Sequence, residues 1–275
     1  MKQHSLFMMV IGLPFVLNLA CGGKSDDSAA DDDTEDTTDT VDTTDTDDDT
    51  AVEDTDVEVV GDAKVRVVHL SPDAPGVDLY VNGETAGVDG VTFPAGSGYL
   101  VVPAAEYTFE VAPAGTTHDD VVPVGLTATL EADKSYTAIA HGYLDSANGS
   151  NGFAITPFVD NTESITDGNF RVHVIHAAAA DAFAQVDIWN LTDPNNPSPL
   201  IENFDYGADV ETELPTGVAF VLGVDVNDDQ VADAEFNIPD SLTGYVGLYA
   251  VNDTAGTPFL FAHLEDGATV QINAN

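Results

Sequence analysis

The only cysteine of the chain, Cys21, has the sequence context of a lipid-attachment site. Lipidation needs a thiol that follows small or apolar residues, and Cys21 follows Ala20 shortly after an apolar run over residues 6–17. That run is shorter than the ~20 residues of a membrane-spanning helix, so it is typical of a signal peptide. Acylation by two or more chains gives stable membrane anchoring. The alternative is an ordinary secretory signal with an incidental cysteine, which would leave a free thiol in an oxidising compartment.

Oxygen-bearing side chains recur with a regular spacing in the segment that begins at Asp225. They occupy relative positions 1, 3, 5 and 9, which are Asp225, Asn227, Asp229 and Asp233. This spacing wraps hard oxygen ligands around Ca²⁺ in EF-hand-like loops, but Gln230 stands where such a loop has its turn glycine. The segment also lies between two strand-like runs. Two hypotheses therefore remain, a calcium site formed by these four residues or a plain acidic hairpin turn.

Histidine and serine residues offer little support for catalysis. His173 and His176 are three positions apart in a strand-like run, which places them on opposite faces and prevents them from binding one metal together. His69 precedes a loop as His176 does, so we expect both to have a shared role in the fold, such as a hydrogen bond to that loop. Ser97 lies between two glycines, but it lacks the G-x-S-x-G pattern of a nucleophile elbow. No catalytic residue is predicted.

Acidic residues dominate the chain, with 49 Asp and Glu against 6 Lys and Arg and a formal net charge of −43. Residues 25–62 are mostly Asp, Thr and Glu and contain no aromatic residue. Such a segment cannot bury enough apolar area to offset its ordering entropy, so it is predicted to be a disordered tether with a reach of about 35 Å. Nucleic acid is excluded as a partner, because it requires clustered Lys and Arg.

The remainder of the chain alternates apolar and polar residues with a period of two. Its short runs are rich in Val, Ile, Tyr, Phe and Thr and are separated by Gly, Pro, Asn and Asp; they include 65–69, 77–81, 107–111 and 136–140. Asn82-Gly83 directly after the second run predicts a hairpin turn. Many short strands at this spacing predict β-sandwich architecture.

Two copies of one β unit are visible in this part of the chain. The run at 65–69 recurs at 172–176, and Val-Asp-Leu-Tyr at 77–80 recurs as Val-Asp-Ile-Trp at 186–189. The copies are offset by about 107 residues, a normal size for one domain. We therefore predict an all-β fold with two tandem Ig-like or transthyretin-like antiparallel β-sandwich domains after the disordered acidic tether.

The first copy resembles a known family at residues 65–83 and 102–115. These segments are similar to the opening and a later part of domain-of-unknown-function family 4397. The second copy keeps His176 and the motif at 186–189, but its intervening loop is Ala-rich and has no counterpart of Pro75. The resemblance implies extracytoplasmic, often lipid-anchored proteins with tandem β-sandwich units. It implies no activity, because none is established for the family.

The predicted organisation has four parts. They are a signal peptide at 1–20, a lipidated Cys21 with the Asp/Thr-rich linker over 21–62, a first β-sandwich repeat at 63–160 and a second at 161–275.

The sequence favours a lipid-anchored protein of the bacterial cell envelope with a non-enzymatic binding or structural and adhesive role. The outer membrane is the expected location, because Gly22 rather than Asp follows Cys21. Tyr80 and Trp189 are candidates for contacting an envelope protein or carbohydrate, although core positions fit them equally well. The alternatives are a calcium-dependent binding module using residues 225–233 and an enzyme of unrecognised class. No cofactor is predicted, apart from Ca²⁺ in the alternative interpretation of residues 225–233.

Overall fold

The structure is a computed structural model that describes residues 61–122 and 124–275. Cys21, the signal peptide and the tether up to residue 60 lie outside the described residues, so the predictions made for them stay predictions. The described part of the chain is all-β, as the alternating pattern predicts. None of its segments forms a helix with the length and apolarity that a membrane crossing requires.

The N-terminal half builds two sheets from nine strands. The strands are β1 (Asp62–Leu70), β2 (Val77–Val81), β3 (Glu84–Thr85), β4 (Ala95–Gly96), β5 (Leu100–Pro103), β6 (Ala105–Pro113), β7 (Leu126–Leu130), β8 (Ser135–His141) and β9 (Ala154–Asp160). The inner N sheet has the order β4-β1-β8-β9, with β5 also paired to β1, and the outer N sheet has the order β3-β2-β6-β7. The hairpin predicted at Asn82-Gly83 joins β2 to β3.

The C-terminal half also builds two sheets from nine strands. They are β10 (Asn169–His176), β11 (Gln185–Asn190), β12 (Ser198–Asp205), β13 (Asp209–Pro215), β14 (Phe220–Asp225), β15 (Ala234–Ile238), β16 (Tyr245–Asn252), β17 (Pro258–Leu264) and β18 (Thr269–Asn273). The inner C sheet has the order β13-β10-β16-β17-β18, and the outer C sheet has the order β12-β11-β14-β15. Two single 3₁₀ turns, His118–Asp120 and Asp181–Phe183, complete the described elements.

Each inner sheet contains one parallel pair, a feature that the sequence does not predict. Strand β1 runs parallel to β8, and β10 runs parallel to β16, whereas the other pairs are antiparallel. Parallel pairs are normally covered on both faces. That is the case here, since every residue of β8 and all but one residue of β16 are buried.

The four sheets stack in the order outer N, inner N, inner C, outer C. Alternate side chains of β1 divide between two cores. Val65 packs towards the outer N sheet, whereas Val68 packs towards the inner C sheet. The middle core joins the halves, because it combines Val68 and Ile139 with Tyr249 and Phe261. The described residues thus belong to one compact unit, 56–275. The domain boundary at 160/161 stays a prediction.

The two halves differ at one edge. In the C-terminal half β18 pairs with β17 along its length, and a bridge from Ala274 to Phe236 connects this strand end to β15. The corresponding strands of the N-terminal half, β9 and β7, have no such covering strand among the described residues.

Candidate functional site

A polar network lies buried between the two inner sheets, and Asp160 is at its centre. Its carboxylate accepts hydrogen bonds from the hydroxyls of Thr137 (2.7 Å), Tyr99 (2.6 Å) and Tyr245 (2.7 Å). Arg66, whose Nε lies 3.8 Å from the carboxylate, donates to Thr137 Oγ1. Burial and the charge of Asp160 raise the pKa of Tyr99 and Tyr245, which keeps both hydroxyls protonated as donors. The network binds the halves together, because Tyr245 belongs to the C-terminal half.

The network reaches the surface through His173. Its Nδ1 lies 2.9 Å from the hydroxyl of Tyr245, and its Nε2 lies 2.7 Å from the carboxylate of Asp209, which is partly exposed. The edge of Phe158 from the N-terminal half packs against the imidazole ring. His173 therefore has a protein partner on each nitrogen and is enclosed by both halves. It offers no open coordination position.

The repeat-equivalent histidines hold the loops that follow them, as expected from the sequence. His69 Nε2 bonds the carbonyl of Pro75 at 3.0 Å, and His176 Nε2 bonds the carbonyl of Phe183 at 2.7 Å. Burial lowers the pKa of both imidazoles, against the smaller effect of these bonds. Since both rings are neutral and engaged by the backbone, their role is structural.

The hydroxyls of Ser71 and Ser97 are also engaged by the backbone. The hydroxyl of Ser71 donates to the carbonyl of Gly142 at 2.6 Å, away from the ring of His69. The hydroxyl of Ser97 donates to the carbonyl of Gly98 and accepts the amide of Val67. The hydroxyl of Ser71 also lies 3.5 Å from the carboxylate of Asp73, but among the described residues neither serine hydroxyl is hydrogen-bonded to a histidine.

The predicted calcium ligands lie together in the hairpin loop between β14 and β15, and their oxygens face the backbone of the loop. Asp225 accepts the amides of Asn227, Asp228 and Gln230. Desolvation would raise the pKa of Asp225, but these bonds outweigh it and lower the pKa.

The other three residues of the set follow the same pattern. Asn227 and Asp229 accept amides two residues ahead, and Asp233 accepts the amide of Val226. Across the described residues no group of three or more His, Cys, Asp or Glu side chains is arranged to hold a metal. Calcium binding stays a prediction, and the hairpin turn is the observed local structure.

The two aromatic residues considered as contact sites are half-buried on the outer faces of the outer sheets. The hydroxyl of Tyr80 donates to the carbonyl of Thr116 at 3.3 Å, and its ring packs 5.2 Å from that of His118. The indole nitrogen of Trp189 is buried. The indole nitrogen of Trp189 thus faces the protein, whereas the hydroxyl of Tyr80 lies in an exposed hydrogen bond.

The open edge of the N-terminal half is the most distinctive surface. Strand β9 is half-exposed along most of its length. Its counterpart β17 is buried over five consecutive residues and is paired at its edge with β18. Val159 on β9 is 58% exposed, although Ile155 of the same strand and Tyr136, its pairing partner on β8, pack in the core of the N-terminal half. Which of the two edges is covered depends on the pairing of β18 with β17.

Solved structures with a similar arrangement are distant. The chain is 9% identical to the Bacillus anthracis TIE protein, with a TM-score of 0.21. The match covers 70% of this chain and 34% of the TIE protein chain. It is 10% identical to a CBM26 module of Eubacterium rectale Amy13K solved with maltoheptaose, with a TM-score of 0.23 and coverages of 76% and 95%.

A third structure is a streptococcal virulence factor described as binding α-glucan. It is 14% identical, with a TM-score of 0.24, and the match covers 72% of this chain and 95% of that one. At TM-scores this low, none of these likenesses carries an argument about ligand or function.

Sequence comparison gives a single family. No curated protein sequence matches the chain. The family match begins at the start of the N-terminal half and extends through β10 and β11 of the C-terminal half. Residues 63–189 match the model of the family described as "Domain of unknown function (DUF4397)", in agreement with the motifs that resemble this family.

Proposed function

We propose that this chain is a lipid-anchored envelope protein whose N-terminal half binds an extended partner segment along β9, without catalysis. The single observation that carries the binding role is the difference between the two edges. Strand β17 is paired with β18, whereas no strand of residues 61–122 or 124–275 pairs with the outer edge of β9, which includes the exposed Val159. Addition of a strand to such an edge supplies main-chain hydrogen bonds for affinity and side-chain pockets for specificity.

The chain's own β18 indicates what fits this edge. Ile272 of β18 is buried in the core of the C-terminal half, while Gln271 and Asn273 on the other face are exposed. An alternating segment of this kind would place an apolar side chain against Val159 and leave polar side chains in solvent. Pro157 on β9 lacks an amide donor, which limits uncontrolled edge-to-edge pairing but leaves carbonyls to accept the partner's amides.

Charge favours a partner segment with basic flanks. Residues 61–275 contain 32 Asp and Glu against 4 Lys and Arg, which gives 4 − 32 = −28. Two of the four cations, Arg66 and Arg171, are buried, so the surface of the described residues has only Lys64 and Lys134 as exposed basic side chains. An acidic surface accelerates encounter with cationic partners and repels anionic ones.

The binding proposal is tested by titrating a synthetic peptide with the sequence of residues 268–275 into the full ¹⁵N-labelled chain. We expect saturable shifts of the β9 amides. Val159→Asp should raise the Kd at least tenfold, about 1.4 kcal/mol, because it places a charge in the apolar contact. Val101→Asp is the matched control, since Val101 is 63% exposed on β5 at the opposite edge of the sheet.

Two outcomes would refute strand addition. One is the absence of β9 shifts at millimolar peptide. The other is a parallel titration in which maltoheptaose, rather than the peptide, shifts the amides around Tyr80 or Trp189 on the outer sheets, which would indicate a carbohydrate-binding role instead.

The anchoring proposal makes a separate prediction. Cys21→Ala removes the thiol that receives the lipid, so the protein should lose incorporation of labelled palmitate and leave the membrane fraction. Ser25→Ala, four residues later in the tether, is the control and should remain in the membrane fraction. Retention of the Cys21→Ala protein with membranes would contradict lipid anchoring.

A further inference from the structure

Strand β18 shows how the corresponding edge of the C-terminal half is filled. Its residue Ile272 pairs with Leu260 of β17 and is only 8% exposed. It belongs to one core cluster with Ile238 of β15 and Leu248 of β16. A single apolar side chain from β18 thus closes the space between the inner and outer C sheets at this edge.

The N-terminal half has the same space at its edge, without a strand that closes it. Ile155 of β9 corresponds to Leu260, because their partners on β8 and β16 are equivalent residues of the two halves. Ile155 and Ala128 of β7 are half-buried, and Val159 is exposed. Among the described residues no strand pairs with the outer edge of β7 or of β9. We call this apolar opening, formed by Ala128, Ile155 and Val159, the β7–β9 mouth.

The β7–β9 mouth has more room than its counterpart in the C-terminal half. Ala128 stands where β15 has Ile238, and the neighbouring strand contributes an aromatic residue opposite both. Ala138 stands where β16 has Leu248, opposite a valine in both halves. An apolar cavity of about 30 Å³ is lined by Ala138 and Ile155, among other residues. Apolar cavities stay dry and accept apolar groups.

Other differences between the two cores leave this extra room in place. Leu126 of β7 is smaller than its counterpart Phe236 of β15. Its strand partner Phe109 is larger than the corresponding Leu222, so the total size of this pair is unchanged. Tyr136 is larger than its counterpart on β16, but it pairs with the C-terminal end of β9, whereas the cavity adjoins the beginning of that strand.

We propose that the partner segment that pairs with β9 carries one aromatic side chain, opposite Ile155, and inserts it into the β7–β9 mouth. Such an anchor presupposes the strand addition proposed above and specifies the kind of segment that is bound. Main-chain hydrogen bonds hold any extended segment against β9, so they do not distinguish among partners. Discrimination comes from the side chain that fills the apolar space. A ring fills the room left by two alanines better than the isoleucine that suffices in the C-terminal half.

Three peptides that differ at one position test for the anchor. They have the sequence of residues 268–275 with Ile272 kept, with Ile272→Phe or with Ile272→Ala, and each is titrated into the full ¹⁵N-labelled chain. All three should shift the β9 amides. We expect the Phe peptide to bind about threefold tighter than the Ile peptide and the Ala peptide about tenfold weaker, because affinity follows the apolar area buried in the mouth.

A variant of the chain tests whether Ala128 provides the room. Ala128→Ile restores the side chain that the C-terminal half has at this position, so the Phe peptide should lose its advantage while the Ile peptide binds as before. Thr129→Ile is the matched control, because Thr129 is exposed on the other face of β7 and its enlargement should leave the order of affinities unchanged.

The outcomes separate the anchor from strand addition. Shifts of the β9 amides with the same Kd for all three peptides, or with the Phe peptide weaker than the Ile peptide, would overturn the aromatic anchor and leave strand addition in place. An advantage of the Phe peptide that survives Ala128→Ile would also overturn it, because the ring would then lie outside the mouth. The absence of β9 shifts with every peptide at millimolar concentration would refute strand addition itself, and the anchor with it.

Discussion

Asp160→Ala is expected to lower the free energy of unfolding by about 3–5 kcal/mol, the largest effect of any single substitution considered for this chain. The change leaves the buried cation of Arg66 without its counter-charge and removes the acceptor of Thr137, Tyr99 and Tyr245. Since these groups come from both halves, a single cooperative transition at a lower denaturant concentration is the expected result in urea unfolding.

Two further variants test whether the loss of stability in Asp160→Ala comes from the hydrogen-bond and ion-pair network around Asp160. Glu265→Ala removes an exposed acid that directly follows β17, so it should change stability by less than about 0.5 kcal/mol. Arg66→Met/Asp160→Leu removes both charges and should be less destabilising than Asp160→Ala alone, because no unpaired charge remains. Strict additivity of the Arg66 and Asp160 effects would show that the two residues are not coupled.

Lowering the pH from 7 to 5 is expected to destabilise the protein by several kcal/mol. Burial lowers the pKa of His141 to about 4 and that of His263 to about 3, the latter also through the charge of Arg66. In the unfolded chain both titrate near 6.5. Between about pH 6.5 and these folded values the unfolded state binds more protons, so stability falls as the pH falls. At pH 5 each histidine contributes a loss of about 2 kcal/mol.

Measurements between pH 7 and 5 separate the effect of histidine protonation on stability from that of carboxylate protonation. Ordinary Asp and Glu side chains remain ionised at pH 5, so the repulsion among the many acidic residues changes little between pH 7 and 5. His263→Leu is the informative variant, because both ring nitrogens of His263 are buried and, among the described residues, neither has a partner within hydrogen-bond geometry. It should reduce the slope of unfolding free energy against pH by about 1.4 kcal/mol per unit. If the parent protein were equally stable at pH 7 and pH 5, the attribution of the pH dependence to the buried histidines His141 and His263 would be contradicted.

Several local features of the structure could be derived from the sequence because they depend on near neighbours. Alternation of apolar and polar residues predicts the strands around 65–69, 77–81 and 136–140, and Asn82-Gly83 predicts the hairpin between β2 and β3. The repeat of His69 as His176 predicts a shared bond to the following loop, which both residues make. The acidic segment at 225–233 connects two strands, β14 and β15, as the strand-like runs on either side of it predict, and calcium binding by this segment stays a prediction.

The central network could not be derived in this way. Arg66 lies in an apolar strand, a position that signals a special environment, but its partners are 71, 94 and about 198 residues away in the sequence. The signal is also absent from the second copy, where the position of Arg66 is occupied by His173. A repeat comparison therefore detects the common fold and overlooks the asymmetric residues that join the halves.

The sequence by itself determined the all-β class, the strand positions, the acidic surface and the family resemblance, because periodicity, turn chemistry and charge are properties of short segments. Only the tertiary structure decided that the two inner sheets pack face to face, that Arg66 and Tyr245 meet at Asp160, and that β18 pairs with β17. These features depend on which faces and edges cover one another. These contacts depend on the packing of segments that are distant in the sequence. The alternation of apolar and polar residues in a strand is the same whether its edge is paired or open.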